Sequence, residues 1–281
     1  MAPSPEALRF HYELELELSN QLRNADREER KRLFPIVYDE LHEKVPYLNY
    51  IKDDPGDASQ LDPQSGEGRA VHFLSRFVRP ETTYLEIGPG GCKVLREIAK
   101  QARTAYAVDV SMPAMLSGGP LPENVKAIVS DGTSVPVPEG VVDLAWSDNL
   151  IEHLHPDDAV EQLENVFRAL KPGGRYICGT PNRINGPHDV SSQFGHKVAV
   201  GFHLKEYAYS DIVPLFRRVG FRAVKGYVDL RGKLIFPIPG SLLIGFERVL
   251  EALPERIRAR AMKVLLVRAI LQVRVSGTKP A

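Results

Sequence analysis

The segment Tyr84-Leu85-Glu86-Ile87-Gly88-Pro89-Gly90-Gly91-Cys92-Lys93 decides the fold. Thr82 to Ile87 is a short β-branched and apolar run that reads as a buried parallel strand. Gly88 to Gly91 breaks it, and helix-forming residues follow from Lys93 to Lys100. Strand, tight loop and helix in that order turn backbone N–H groups outward at the strand's carboxyl end, where glycines let a ligand approach the main chain. A nucleotide-like ligand is the expected occupant; a generic glycine turn of any α/β protein is the alternative.

Spacing narrows the ligand class. The dinucleotide fingerprint G-x-G-x-x-G needs glycine or alanine at position 93, which is Lys93 here. The phosphate-loop pattern fails too, because Cys92 precedes Lys93 and Val94 follows it. What remains is Glu86-x-Gly88-x-Gly90. This resembles the first motif of class I methyltransferases, acid-x-G-x-G-x-G, with Cys92 in place of the third glycine and Gly91 beside it. The resemblance implies that Glu86, Gly88 and Gly90 bind S-adenosyl-L-methionine.

The whole chain bounds that reading. With 281 residues it can hold one large α/β domain and an appendage. Lys plus Arg and Asp plus Glu are equal at 36 each, so no basic footprint argues for nucleic acid as a partner. Two cysteines, Cys92 and Cys178, fit a reducing compartment without disulfides. Residues 1–9 lack the apolar core of a signal peptide and no apolar run approaches the ~20 residues of a membrane span, so a cytoplasmic protein is expected.

Ser4-Pro5-Glu6 reads as a helix start, and Phe10, Leu14, Leu18 and Leu22 recur on one face of a helix reaching about Asn24. A second helix is expected over Asp26 to Lys44, divided by Pro35. Asp53 to Gly68 reads as a linker. Residues 1–68 are therefore expected to form a helical cap and linker. Residues 69–281 are expected to form the cofactor domain, with an insertion at 231–268.

Downstream segments add to the resemblance. Thr104 to Val108 reads as a second strand ending in Asp109, ~20 residues beyond the loop, where doubly wound folds bond ribose hydroxyls; helix capping is the alternative. Val125 to Ser130 leads into Asp131-Gly132. The resemblance puts Asp131 on the adenine amino group, whereas an Asx turn would need no ligand. Val141 to Ser147 opens into Asp148-Asn149-Leu150-Ile151-Glu152-His153-Leu154, similar to the Glu-His-Leu segment beside methyl group and acceptor in many small-molecule methyltransferases. Ser147, Asp148 and Gly132 are assigned to the cofactor on the same basis. Pro156 to Leu170 reads as an amphipathic helix, and Lys171-Pro172-Gly173-Gly174 as its stop and a turn into strand five.

Asn182 follows strand five, on the ligand side of open α/β sheets, and a long irregular stretch runs from Ile184 to Gly201. His188, His196, His203 and Asn182 are candidate acceptor contacts. The histidines match no compact metal-ligand spacing, so no metal is expected. The sixth and seventh strands are expected over Phe221 to Leu230 and Leu271 to Ser276. From Arg256 onward the chain has no acid. A solvated basic helix face is expected there, with peripheral contact to an anionic membrane as the alternative.

These phrases cover about residues 82 to 230 and resemble a class I methyltransferase of the small-molecule type, similar to the ubiquinone-biosynthesis-like O-methyltransferases. The implied fold is a Rossmann-like, doubly wound α/β domain with a mostly parallel seven-stranded sheet and helices on both faces. The implied reaction is methyl transfer to a small-molecule acceptor, expected at a hydroxyl oxygen. N- or carboxyl-methylation of a metabolite, or a non-catalytic binding protein on the same scaffold, are the alternatives. For a hydroxyl, His153 is the candidate general base, with plain packing as its other reading.

Overall fold

In the computed structural model the described residues are 3–45, 47, 61–230 and 234–281. The expected linker segment at 53–60 and the start of the insertion at 231–233 lie outside them. The Ser4 hydroxyl caps α1 (Pro5–Asn24) and Asp26 caps α2 (Arg27–Lys44). α2 runs on through Pro35 rather than dividing there. The hydrogen bond a proline removes is offset by Phe34, Val37 and Leu41, which α2 buries on its inward face.

Beyond α3 (Gly66–Leu74) come β1 (Thr83–Ile87), α4 (Lys93–Ala99), β2 (Thr104–Asp109), α5 (Met112–Leu116), β3 (Val125–Val129) and β4 (Val142–Asp148). α6 (Pro156–Ala169), β5 (Leu170–Thr180), α7 (Tyr209–Val219) and β6 (Arg222–Asp229) follow. The chain ends with β7 (Ile235–Pro239), α8 (Gly240–Ala252), α9 (Glu255–Ala261), α10 (Leu265–Leu271) and β8 (Val273–Thr278). The strand order is β3-β2-β1-β4-β5-β8-β6-β7, parallel from β3 to β5, with β8 antiparallel to both of its neighbours. Order reverses between β1 and β4, and the crevice at that switch is where ligands bind in such sheets.

Two differences from the sequence reading have local causes. The sheet has eight strands because Ile235–Pro239 pairs with β6 as an edge strand. Pro237 and Pro239 cannot donate to a ladder, which an edge position tolerates. Lys171-Pro172-Gly173-Gly174 lies inside β5 instead of forming a separate turn. The register with β4 slips between Val142 and Leu144, Gly173 takes φ +79°, and a Cβ at Gly174 would stand 2.8 Å from the Lys171 carbonyl oxygen. The glycines thus make a bulge.

Alternation along β1 divides its side chains between two cores. Leu85 and Ile87 pack with Val108, Leu163, Val166 and Phe216 on one face. Tyr84 packs with Phe73, Leu95, Ile98 and Trp146 on the other. α1 and α2 share the first core through Leu14, Leu18, Leu22, Phe34, Val37 and Leu41. Phe10 is exposed, and His11 and Glu15 are buried in its stead. Arg30 of α2 makes a buried bidentate pair with Asp158 of α6, at 2.5 and 2.8 Å. α9 and α10 leave Ile257, Leu265 and Leu266 exposed, so the surface expected to be basic from Arg256 onward is apolar as well. No helix among the described residues is long and apolar enough to cross a membrane.

Candidate functional site

The loop after β1 is built for close approach. Gly88 and Gly90 have φ +68° and +48°, and a Cβ on Gly90 would meet nothing within 4 Å. Asp109, at the end of β2, accepts from Gly90 N–H at 3.0 Å and from Ser111 N–H at 3.1 Å. Burial raises its pKa against those two bonds. Gly88, Gly90, Asp109, Ser130, Gly132 and Gln162 line one cleft, together with Asn149, Leu150 and His153. Gln162 donates to the Gly132 carbonyl at 2.8 Å, while its buried Oε1 has no partner among the described residues.

These features fit S-adenosylmethionine. An adenine amino group would find an acceptor in the orphaned Gln162 oxygen, and ribose hydroxyls would find one in the Asp109 carboxylate. Phe34 and Tyr38 of α2 also line the cleft and reduce its open space to about 70 Å³.

Other residues assigned to the cofactor stand elsewhere. Glu86 points with Tyr84 into the second core, where its Oε2 accepts from the Tyr84 hydroxyl at 2.8 Å and burial pushes its pKa up to about 8. Strand parity alone sends it there. Asp131 makes the Asx turn: its Oδ1 accepts from Thr133 N–H, Thr133 Oγ1–H and Ser134 N–H at 2.7 to 3.1 Å. Its neighbours Ser130 and Gly132 line the cleft. Ser147 is buried against the Tyr176 hydroxyl at 2.7 Å. Asp148 faces a separate cavity of about 440 Å³ with Asn182, Arg268 and Arg274. Desolvation raises the Asp148 carboxyl there and the Arg274 charge opposes the rise.

A larger cavity of about 550 Å³ adjoins the cofactor cleft, and Tyr38, Asn149 and His153 line both. Asn149 turns the chain between them with φ +51°, which asparagine tolerates. His188 and His203 line this cavity, with Glu152 and Asp189. His196 instead bonds the Tyr12 hydroxyl at 2.8 Å and fastens the 184–201 loop to α1. Arg23 fastens it again through the carbonyls of Val200, Gly201 and His203. Asn182 is buried with its Nδ2 on Glu247 at 2.9 Å, and the Asn182 carbonyl takes the His188 Nε2 at 3.1 Å.

At the cavity's inner wall, His153 Nδ1 donates to the Phe202 carbonyl at 3.1 Å and His203 Nδ1 donates to Glu206 Oε1 at 2.8 Å. Burial and the adjacent His203 push His153 down to about 3. Burial alone would lower His203 as well, but the Glu206 bond and the Glu152 charge raise it. Glu152, pushed up to about 7 by burial, accepts from Thr180 Oγ1–H at 2.9 Å. The sequence reading left out His11, Glu15, Tyr38 and His42, which α1 and α2 bring to the same cavity. Two polar residues at i and i+4 on the inward face of α1 were the signal available for His11 and Glu15.

Residues 85–178 match the methyltransferase domain family. A Mycolicibacterium smegmatis protein named as a probable S-adenosylmethionine-dependent methyltransferase is 30% identical over 87 residues, 31% of each chain. An uncharacterised Streptomyces fradiae protein of transposon TN4556 is 26% identical over 139 residues, 46% of this chain and 40% of that one. The matches thus span about a third and two-fifths of the curated relatives' own length. Among solved structures, the [4+2]-cyclase SpnF aligns with TM-score 0.57 at 15% identity, over 89% of this chain and 97% of that one. A Haloferax volcanii methyltransferase in complex with the Trm112 activator aligns with TM-score 0.54 at 18% identity, over 76% and 89%. A cyclase among these neighbours means that likeness of fold carries no reaction by itself. Residues 85–178, which include the glycine loop and the strand-end Asp109 that frame the cleft, are thus similar to the S-adenosylmethionine-dependent methyltransferase domain family.

Proposed function

We propose that the chain transfers the methyl group of S-adenosylmethionine to a hydroxyl oxygen of a small molecule, with residues 1–68 serving as the cap over residues 69–281. The observation that carries this reading is the wall shared by the two cavities: His153 lines the cofactor cleft and the 550 Å³ cavity alike. That volume suits a metabolite of modest size.

The cofactor supplies a methyl already activated on a sulfonium, so the protein's part is alignment and exclusion of water. The glycine loop, Asp109 and Gln162 hold the nucleoside end. Phe34 and Tyr38 close over it, and α1 seals the acceptor side by binding the 184–201 loop through Tyr12 and Arg23. The Phe202 carbonyl fixes His153 Nδ1–H, which leaves Nε2 as the nitrogen available to the acceptor hydroxyl.

Release of S-adenosylhomocysteine over a panel of hydroxylated metabolites, amines and carboxylic acids tests the proposal. Turnover is expected with a hydroxyl compound. His153→Ala is expected to lower it about 10²- to 10⁴-fold, with S-adenosylhomocysteine affinity unchanged by calorimetry. Turnover confined to amines or carboxylates would refute the hydroxyl assignment, and hydroxyl turnover undiminished in His153→Ala would refute the role of His153.

A further inference from the structure

One ligand atom from each of Glu152, His153 and His203 lies within 4.8 Å of the other two. Three further features single this group out. Glu152 is fully buried, and its Oε1 has no hydrogen-bond partner among the described residues, although Oε2 is held by Thr180. A buried carboxylate oxygen left bare is costly unless a ligand completes it. Each imidazole has its Nδ1–H on an oxygen, the Phe202 carbonyl for His153 and Glu206 for His203. That is the arrangement that orients metal-binding histidines and leaves Nε2 for the metal. Finally, the group faces the acceptor cavity, where Glu15 and Asp189 add negative charge.

We propose that Glu152, His153 and His203 bind a first-row divalent transition-metal cation, which holds and ionises the acceptor hydroxyl. Two imidazoles and one carboxylate are a donor set suited to Zn²⁺, Mn²⁺, Fe²⁺ or Co²⁺ rather than to Mg²⁺, which takes oxygen ligands. Ligands at 2.0 to 2.2 Å in a tetrahedral site stand about 3.4 Å apart, so side-chain movements of about an ångström close the group on the ion. Three protein ligands leave the fourth position to the cavity. The hydroxyl oxygen takes that position, and its proton passes to water. The oxygen then forms its bond to the methyl carbon as the carbon–sulfur bond breaks, with the electron pair staying on sulfur. The products are a methyl ether, S-adenosylhomocysteine and one proton. His153 therefore acts on the oxygen through the cation. The loop histidines gave no metal spacing in sequence because His153 lies fifty residues before His203 and only the fold brings them together.

The catalytic part rests on the methyl-transfer reading, but binding of the ion can be measured without it. The full chain, stripped with a chelator and dialysed, is titrated with Zn²⁺ by calorimetry and with Co²⁺ by visible absorption. One equivalent is expected to bind, with the cobalt bands of a four-coordinate site. Glu152→Gln, which keeps the Thr180 contact, and His203→Asn are each expected to abolish those bands. Glu206→Ala, which removes the acceptor of the His203 Nδ1–H and of the His188 N–H while leaving all three ligands, should weaken Zn²⁺ binding about 10- to 100-fold. Equal binding by wild type and all three variants, or no binding by wild type, overturns the site and leaves the S-adenosylhomocysteine assay free to decide methyl transfer. Full turnover of the chelated protein likewise overturns the role of the cation while supporting the transfer itself.

Discussion

Glu86→Gln removes a carboxyl that the fold holds protonated. Glu86 is 5% exposed, and burial pushes it up to about 8 from 4.5, against the Tyr84 bond and with the charges of Asp148 and Asp109. In the unfolded chain the same group loses its proton near 4.5. Between those values the folded protein binds the additional proton, so stability falls as pH rises and levels off once the folded group ionises as well. At about 1.4 kcal/mol per unit, the loss between pH 5 and pH 8 is on the order of 3 kcal/mol. Glutamine has the same shape, accepts the Tyr84 hydroxyl and does not titrate. Other groups titrate in both proteins, so the difference between the two stability curves isolates Glu86. Urea unfolding of the cofactor-free protein at pH 5, 6, 7 and 8 measures it. The advantage of Glu86→Gln should grow steadily across that range. Parallel curves would show that Glu86 ionises normally in the fold despite its burial.

Asp109→Ala should weaken S-adenosylmethionine and S-adenosylhomocysteine alike by about 1.5 to 3 kcal/mol, the worth of hydrogen bonds to a charged acceptor; calorimetry showing unchanged affinity would take Asp109 off the ribose. Asp158→Ala strands the buried Arg30 and should lower stability by about 3 to 5 kcal/mol, while replacing both residues with apolar ones should recover much of it. Denaturant midpoints decide, and a loss below about 1 kcal/mol would mean that the pair is no better than a surface contact.

Much of the fold was legible because its signals are local. The strand, glycine loop and helix around Gly88, the caps at Ser4 and Asp26, and the strand ending in Asp109 all depend on residues close in sequence. The edge strand at Ile235–Pro239 was not legible, because its prolines argue against a strand until a partner on one side only is known. The site divided along the same line. Gly88, Gly90 and Asp109 are set by backbone geometry and stand in the cleft, whereas Glu86 and Ser147 were placed by motif, and the pleat turns both into the core. One residue of register separates the two outcomes, since neighbouring side chains on a strand face opposite sides.

The acceptor side shows the harder limit. A histidine in a sequence carries no record of which nitrogen will be free, because that depends on the oxygen the other nitrogen meets. For His153 the oxygen belongs to Phe202, and for His203 to Glu206; the first comes from a loop that α1 holds in place through Glu15, whose Oε2 accepts the Phe202 N–H at 3.1 Å. The same Glu15 takes the His11 Nε2 at 2.7 Å, and His11 takes the Tyr47 hydroxyl at 2.8 Å on its other nitrogen. The N-terminal helices therefore do more than cover the cavity. Through Glu15 and Arg23 they fix the backbone that sets the tautomer of His153, which makes the chemistry at the end of β4 depend on residues more than a hundred positions earlier in the chain.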